Sequence, residues 1–76
     1  MDKLLQILSE LRPDLDFGVE TRLIDDGYLD SFDVIALVTE LNEVFDVEIN
    51  VSHLVPENFN SADAIWRLIE RLTEER

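Results

Sequence analysis

The chain has 76 residues, 46% of them apolar, with no cysteine. It is read as one domain, residues 1–76, which at this size buries only about 60% of the surface its unfolded form exposes and has no thiol for a disulfide or a thiolate metal site. Eighteen acidic residues against six basic ones give a net charge of −12, which argues against nucleic acid or an anionic membrane as partner and favours basic protein surfaces, met through salt-sensitive association.

Met1 to Lys3 run straight into an amphipathic pattern, without the series of residues that marks a signal peptide. No apolar run approaches membrane-spanning length, so no membrane insertion is expected. Together with the lack of cysteine, this suits a reducing cytoplasm.

Leu4, Ile7, Leu8 and Leu11, with Leu5 beside them, recur at helical spacing and predict a first helix from residue 2 to about 12. Arg12 precedes Pro13 and is thereby biased out of the helical region, which ends the helix. Residues 13–29 carry no sustained period, only Leu15, Phe17, Val19, Leu23 and Ile24 as anchors for a loop. A connection of this length in so small a domain is usually functional or holds a turn of its own. It closes on Asp25-Asp26-Gly27-Tyr28-Leu29, where Gly27 supplies the freedom for a tight turn.

The second helix has the clearest signals. Asp30 or Ser31 suits the N-cap, Asp33 puts negative charge in the first turn, and Val34, Leu37, Val38, Leu41 and Phe45 form one stripe ending near Val44 or Phe45. Phe32, Ile35 and Ala36 fall off that stripe and are expected at the surface. Asp46-Val47-Glu48-Ile49 alternates like a strand but has no partner, so it reads as an extended connector. Asn50 is expected to cap a short helix from Val51 to Val55 that Pro56 interrupts, with Phe59 anchoring the next turn. Ser61 then caps a last helix with Asp63 in its first turn and a core face of Ile65, Leu68, Ile69 and Leu72. The fold class is all-α: a small bundle of three main helices and one short one, with a long first loop. The stripes account for most apolar residues, so a monomer is expected.

Catalytic constellations are scarce. His53 is the single histidine and has no cysteine to join it, whereas catalysis needs a positioned base with an orienting partner. A calcium loop built around Gly27 would require oxygen ligands where Arg22 and Ile24 stand and a glutamate where Asp33 stands. What remains is Asp30-Ser31-Phe32 at the start of the best helix. Serine at such a place is commonly a plain helix cap. Here it also follows an anchored loop and opens a helix whose first turns carry off-core apolar residues and acids, a sensible place to attach a group that other proteins must reach.

At this point the chain resembles the acyl carrier protein family, in which a phosphopantetheinyl transferase modifies the serine of an Asp-Ser-Leu-like motif. Asp26-Gly27-Tyr28-Leu29-Asp30-Ser31-Phe32 looks like that motif with its preceding turn, and the match runs on through Leu37, Leu41, Phe45, Asp46, Ile49, Phe59-Asn60-Ser61 and Ile65, over roughly residues 20–72. The approach to the serine, the Phe after it and Pro56-Glu57-Asn58-Phe59 are similar to free-standing aminoacyl and D-alanyl carriers served by adenylating ligases. The resemblance implies a phosphopantetheine arm from coenzyme A on Ser31, with Asp30 assisting the transferase and its metal. It also implies an adenylating ligase or acyltransferase that loads cargo as a thioester, and a downstream acceptor enzyme that removes it; the chain itself would catalyse nothing. Phe32, Ile35, Ala36 and Thr39 would lie where carriers meet partners, with Asp33, Glu40 and Glu43 as charge contacts. Ala36 stands where fatty-acid carriers usually have glutamate, which shifts weight from a fatty-acid synthase toward a dedicated ligase or assembly line. D-alanine for cell-wall polymers and an amino acid or short acyl group for secondary metabolism both stay open as cargo. The alternative from another class is an unmodified acidic adaptor that binds a basic partner through the same face.

Overall fold

Four α-helices and one 3₁₀ turn carry the apolar stripes into a common core in the computed structural model, which describes residues 2–74. Met1, Glu75 and Arg76, included in the single-domain reading, lie outside the described residues. Helix α1 spans Asp2–Leu11 and buries Leu4, Ile7 and Leu8. The amide of Arg12 still donates to the Leu8 carbonyl at 2.9 Å, and Pro13 stops the helix, as its missing N–H and the restriction on the preceding residue require. Helix α2, Ser31–Phe45, turns Leu37 and Leu41 into the core. Helix α4, Ala62–Glu74, buries Ala62, Ile65, Leu68 and Ile69, and the Ser61 hydroxyl accepts the Ala64 amide at 3.0 Å as its cap.

Helix α1 packs against both α2 and α4. An edge-to-face contact between Phe45 and Trp66, with centroids 5.8 Å apart, joins the end of α2 to α4. The side chains buried most completely come from all parts of the chain: Leu4, Leu8, Leu23, Leu37, Leu41, Phe59, Ile65 and Leu68.

The long connection is anchored, though not by every residue expected. Phe17, Leu23 and Leu29 are buried, while Val19 is 68% exposed. The reason is a tight turn: Asp16 accepts the Val19 and Glu20 amides on its carbonyl and the Gly18 amide on its side chain, so Phe17 faces in and Val19 out. Leu29 anchors the far end instead, its amide bonded to the Leu23 carbonyl at 3.0 Å. Gly27 adopts φ of +78° between them, the left-handed conformation that glycine enters without steric cost.

After α2, Asp46 forms a left-handed C-cap at φ 54°. The chain then runs extended with Val47 and Ile49 buried, and the Asn42 side chain accepts the Ile49 amide at 3.0 Å. The expected short helix from Val51 to Val55 shortens to three residues, and a helix that was not expected follows it. Val51–His53 form a 3₁₀ turn capped by Asn50, and Pro56 opens a separate helix α3, Pro56–Phe59, rather than interrupting one. Proline at the first helical position loses no hydrogen bond, because that N–H would have no intrahelical acceptor anyway. Helix α3 packs on α4 through the buried Phe59.

Candidate functional site

The choice between Asp30 and Ser31 as helix cap decides what the serine is free to do. The Asp30 side chain accepts the Asp33 amide at 2.8 Å, and the Asp33 carboxylate reaches back to the Asp30 amide at 3.4 Å, a reciprocal capping box. Ser31 is therefore the first residue inside the helix, exposed, and its hydroxyl has no hydrogen-bond partner among the described residues. A serine used as a cap would have its oxygen engaged with the backbone; here that work falls to the neighbouring aspartate.

Beside Ser31 opens an apolar groove of about 340 Å³. Asp30 and Ser31 stand on its rim, with Leu29, Val34 and Phe59 among the residues that line it and Leu54 and Pro56 contributed by the segment after the 3₁₀ turn. On the solvent side of α2, Phe32 is 80% and Ile35 62% exposed. Ala36, Thr39, Glu40 and Glu43 are exposed with them, and the Thr39 hydroxyl donates back to the Ile35 carbonyl at 3.0 Å. Two exposed apolar side chains thus sit on the face that carries Ser31, next to a strip of acids.

Asp33 differs from the other flanking acids. Its carboxylate is occupied by the capping box and by Arg12, whose Nη1 lies 3.4 Å away. Arg12 is a residue whose role the sequence does not announce, since it reads only as the last residue before Pro13. Its guanidinium grips Asp14 through Nε and Nη2, both at 3.2 Å, and donates from Nη1 to the Tyr28 carbonyl at 2.6 Å. Hydrogen bonding to Arg12 holds the Asp14 carboxyl below its ordinary range. Asn60 is the second unannounced residue. Its side chain accepts the amides of Ile24 and Asp25 at 3.0 and 3.1 Å and donates to the Asp25 carboxylate at 3.1 Å. The only hint of either in the sequence is residue type, an arginine or asparagine able to make several bonds; apart from Asp14, two positions from Arg12, the partners lie 16 to 36 positions away.

His53 accepts the Asn50 amide on Nδ1 at 3.1 Å and so belongs to the capping of the 3₁₀ turn. Among the described residues no group of three or more His, Cys, Asp or Glu side chains is arranged to hold a metal ion. No described helix is long and apolar enough to cross a membrane.

A phosphopantetheine group fits what is present: an unengaged primary hydroxyl at a helix start, open to solvent and beside an apolar groove. Comparison with known proteins agrees. The family model described as "Phosphopantetheine attachment site" matches residues 2–69. The D-alanyl carrier protein of Lactococcus lactis subsp. cremoris (strain MG1363) is 35% identical over 67 residues, covering 88% of this chain and 80% of that protein. The D-alanyl carrier protein of Streptococcus mutans serotype c (strain ATCC 700610 / UA159) is 33% identical over 75 residues, covering 97% and 91%. That of Streptococcus sanguinis (strain SK36) is 31% identical over the same length. With the family model covering nearly the whole chain, and the helical fold already in place, the protein belongs to the phosphopantetheine-attachment family of carrier proteins, which hold cargo on a phosphopantetheine group and act as substrates of partner enzymes.

Proposed function

We propose that Ser31 is the attachment residue and that the chain works as a single aminoacyl carrier domain, with D-alanine the first cargo to test. The observation that carries the first part is the capping arrangement: Asp30 supplies the cap and leaves the Ser31 hydroxyl without a partner at an exposed helix start. In the modification, Ser31 Oγ bonds to the phosphorus that bears pantetheine. The pyrophosphate P–O bond of coenzyme A breaks, the adenosine bisphosphate half leaves, and the hydroxyl proton passes to a base on the transferase. Once attached, the arm supplies a thiol that holds cargo as a thioester. Asp30, on the groove rim beside Ser31, retains one carboxylate oxygen outside the capping bond and is the acid that would face the transferase's metal.

The amino-acid cargo is supported by the relatives named above, which are D-alanyl carrier proteins. An adenylating ligase is then the loading partner and a separate acceptor enzyme the unloading one. Phe32, Ile35 and Ala36 form the apolar part of the docking face, with Thr39 between them and the acids Glu40 and Glu43. Charge steers a basic partner toward such a strip, and a few apolar contacts set the register, which gives fast and transient association. An arm taken from coenzyme A and a cargo activated with ATP place the chain in the cytoplasm, and a core that takes up most apolar residues favours a monomer.

The test is intact mass after incubation with coenzyme A, magnesium and a broad-specificity phosphopantetheinyl transferase, with Ser31→Ala in parallel. One phosphopantetheine on the wild type and none on the variant is the expected result; addition to both would move the attachment residue elsewhere. The modified protein is then offered to a D-alanine-activating ligase with ATP and a panel of amino acids. A further mass increase with D-alanine is expected, and loading of another amino acid in preference would reassign the cargo.

A further inference from the structure

The backbone that leads into Ser31 is fixed by near neighbours and by one residue distant in sequence. The stretch Tyr28-Leu29-Asp30 leads into the helix, and all three residues are held. Leu29 is buried with its amide bonded to Leu23, and Asp30 is locked in the capping box. Tyr28 offers only its carbonyl, and the group that takes it is Arg12 Nη1, at 2.6 Å. The same nitrogen lies 3.4 Å from Asp33 Oδ2, the oxygen that receives the Asp30 amide. One guanidinium therefore touches both the strand of chain before Ser31 and the carboxylate that closes its cap, while Asp14 fixes the guanidinium from the other side. Arginine is suited to this because its donors diverge in one rigid plane, whereas a lysine ammonium is a point charge on a flexible stem.

We infer that Arg12 is a positioning residue for the modification of Ser31: it holds Tyr28–Asp30 in the one backbone arrangement the phosphopantetheinyl transferase accepts. The inference rests on Ser31 being the attachment residue. Arg12 touches neither the serine nor the arm; it acts through the Tyr28 carbonyl and the Asp33 carboxylate. Without it, the approach to Ser31 samples arrangements that do not dock. A fractionally populated competent state weakens apparent binding in proportion to that fraction, leaving the turnover of the bound state unchanged.

The experiment measures kcat and KM for phosphopantetheine transfer to the wild type, Arg12→Ala and Arg12→Lys, by intact mass, at a temperature where Trp66 fluorescence shows each to be folded. The wild type and Ser31→Ala are run in the same assay, so a failure of the Ser31 reading is seen there and not confused with a failure of this one. With Arg12→Ala, KM should rise about tenfold, the scale of losing one charge-assisted hydrogen bond, with kcat retained. Arg12→Lys should recover part of that loss, because the ammonium can reach the Tyr28 carbonyl but cannot also keep the Asp14 fork. A wild-type KM in folded Arg12→Ala would overturn the inference. So would a fall in kcat at unchanged KM, which would indicate a direct part in the transfer. If Arg12→Ala does not fold, Arg12→Lys alone decides: a raised KM at retained kcat supports positioning, and wild-type values overturn it.

Discussion

Helices α2 and α4 are of similar length, 15 and 13 residues, yet they distribute their apolar side chains in opposite ways. In α4 the apolar residues gather on one side, and Ala62, Ile65, Leu68 and Ile69 are all buried. In α2 only Leu37 and Leu41 are buried, while Phe32 and Ile35 stand in solvent at 80% and 62% exposure. Exposed large apolar residues that adjoin in a contiguous patch mark a contact surface, and these two carry the docking face proposed above. The contrast separates two duties: α4 holds the fold together, and α2 is divided between core and surface, with Ser31 at its head. Stability and partner recognition should therefore be separable residue by residue.

The most damaging test removes a buried side chain of α4. Leu68→Ala should cost about 2–5 kcal/mol, since the lost transfer energy adds to that of the cavity left behind. In a domain this small each kcal/mol lowers the melting temperature by roughly 4–8 °C. Circular dichroism melts would show it, and the transferase KM at a temperature where the variant is still folded should not change. A changed KM would mean that α4 does more than support.

Next come the two caps. Ser61→Ala and Asp30→Ala each remove a side-chain bond to a helix N-terminus, worth about 1 kcal/mol. The Ser61 variant should differ from wild type in stability alone, whereas the Asp30 variant should also be modified more slowly. Equal modification rates for the two would erase the functional half of the contrast between the helices.

Smaller still in stability is Phe32→Ala, which should change folding free energy by no more than about 0.5 kcal/mol because the side chain is largely in solvent. Its effect should appear as slower loading by the ligase. Unchanged loading kinetics would remove Phe32 from the docking face. The least effect is expected from Asp14→Asn. Hydrogen bonding to Arg12 lowers the folded-state pKa of Asp14, so its contribution to stability is present above the ordinary aspartate range. That contribution is lost as pH falls through the lowered value. Denaturation curves of the wild type and the variant should differ slightly at neutral pH and converge in acid, although exposure and salt keep the gap small.

The features legible in the sequence rest on local signals. The stripes of α1, α2 and α4, the stop at Pro13, the turn at Gly27 and the extended run from Val47 to Ile49 follow from spacing and from the conformational limits of proline and glycine. Where the structure departs from the pattern, a nearby choice has two outcomes of similar local merit. Val19 and Leu29 are equally apolar, and only the turn around Asp16 and the bond from Leu29 to Leu23 decide which one is buried. Pro56 could end one helix or begin another, and the packing of Phe59 against α4 favours the start of α3. The sequence leaves the cap open between Asp30 and Ser31, both chemically suitable, and the return bond from Asp33 selects the aspartate.

The sequence by itself determined the helical class, the acidic character, the absence of cysteine and the Asp-Ser-Phe motif with its resemblance to carriers. These are properties of composition and of periods shorter than two turns. The local capping box between Asp30 and Asp33 leaves the serine hydroxyl unengaged, whereas only the tertiary structure decided that a groove opens beside it and that Arg12 and Asn60 hold the loop before it. The hold on that loop depends on hydrogen bonds spanning 16 to 36 residues. No local pattern encodes such bonds, because their partners come within reach only when the buried leucines and Phe59 have closed the core.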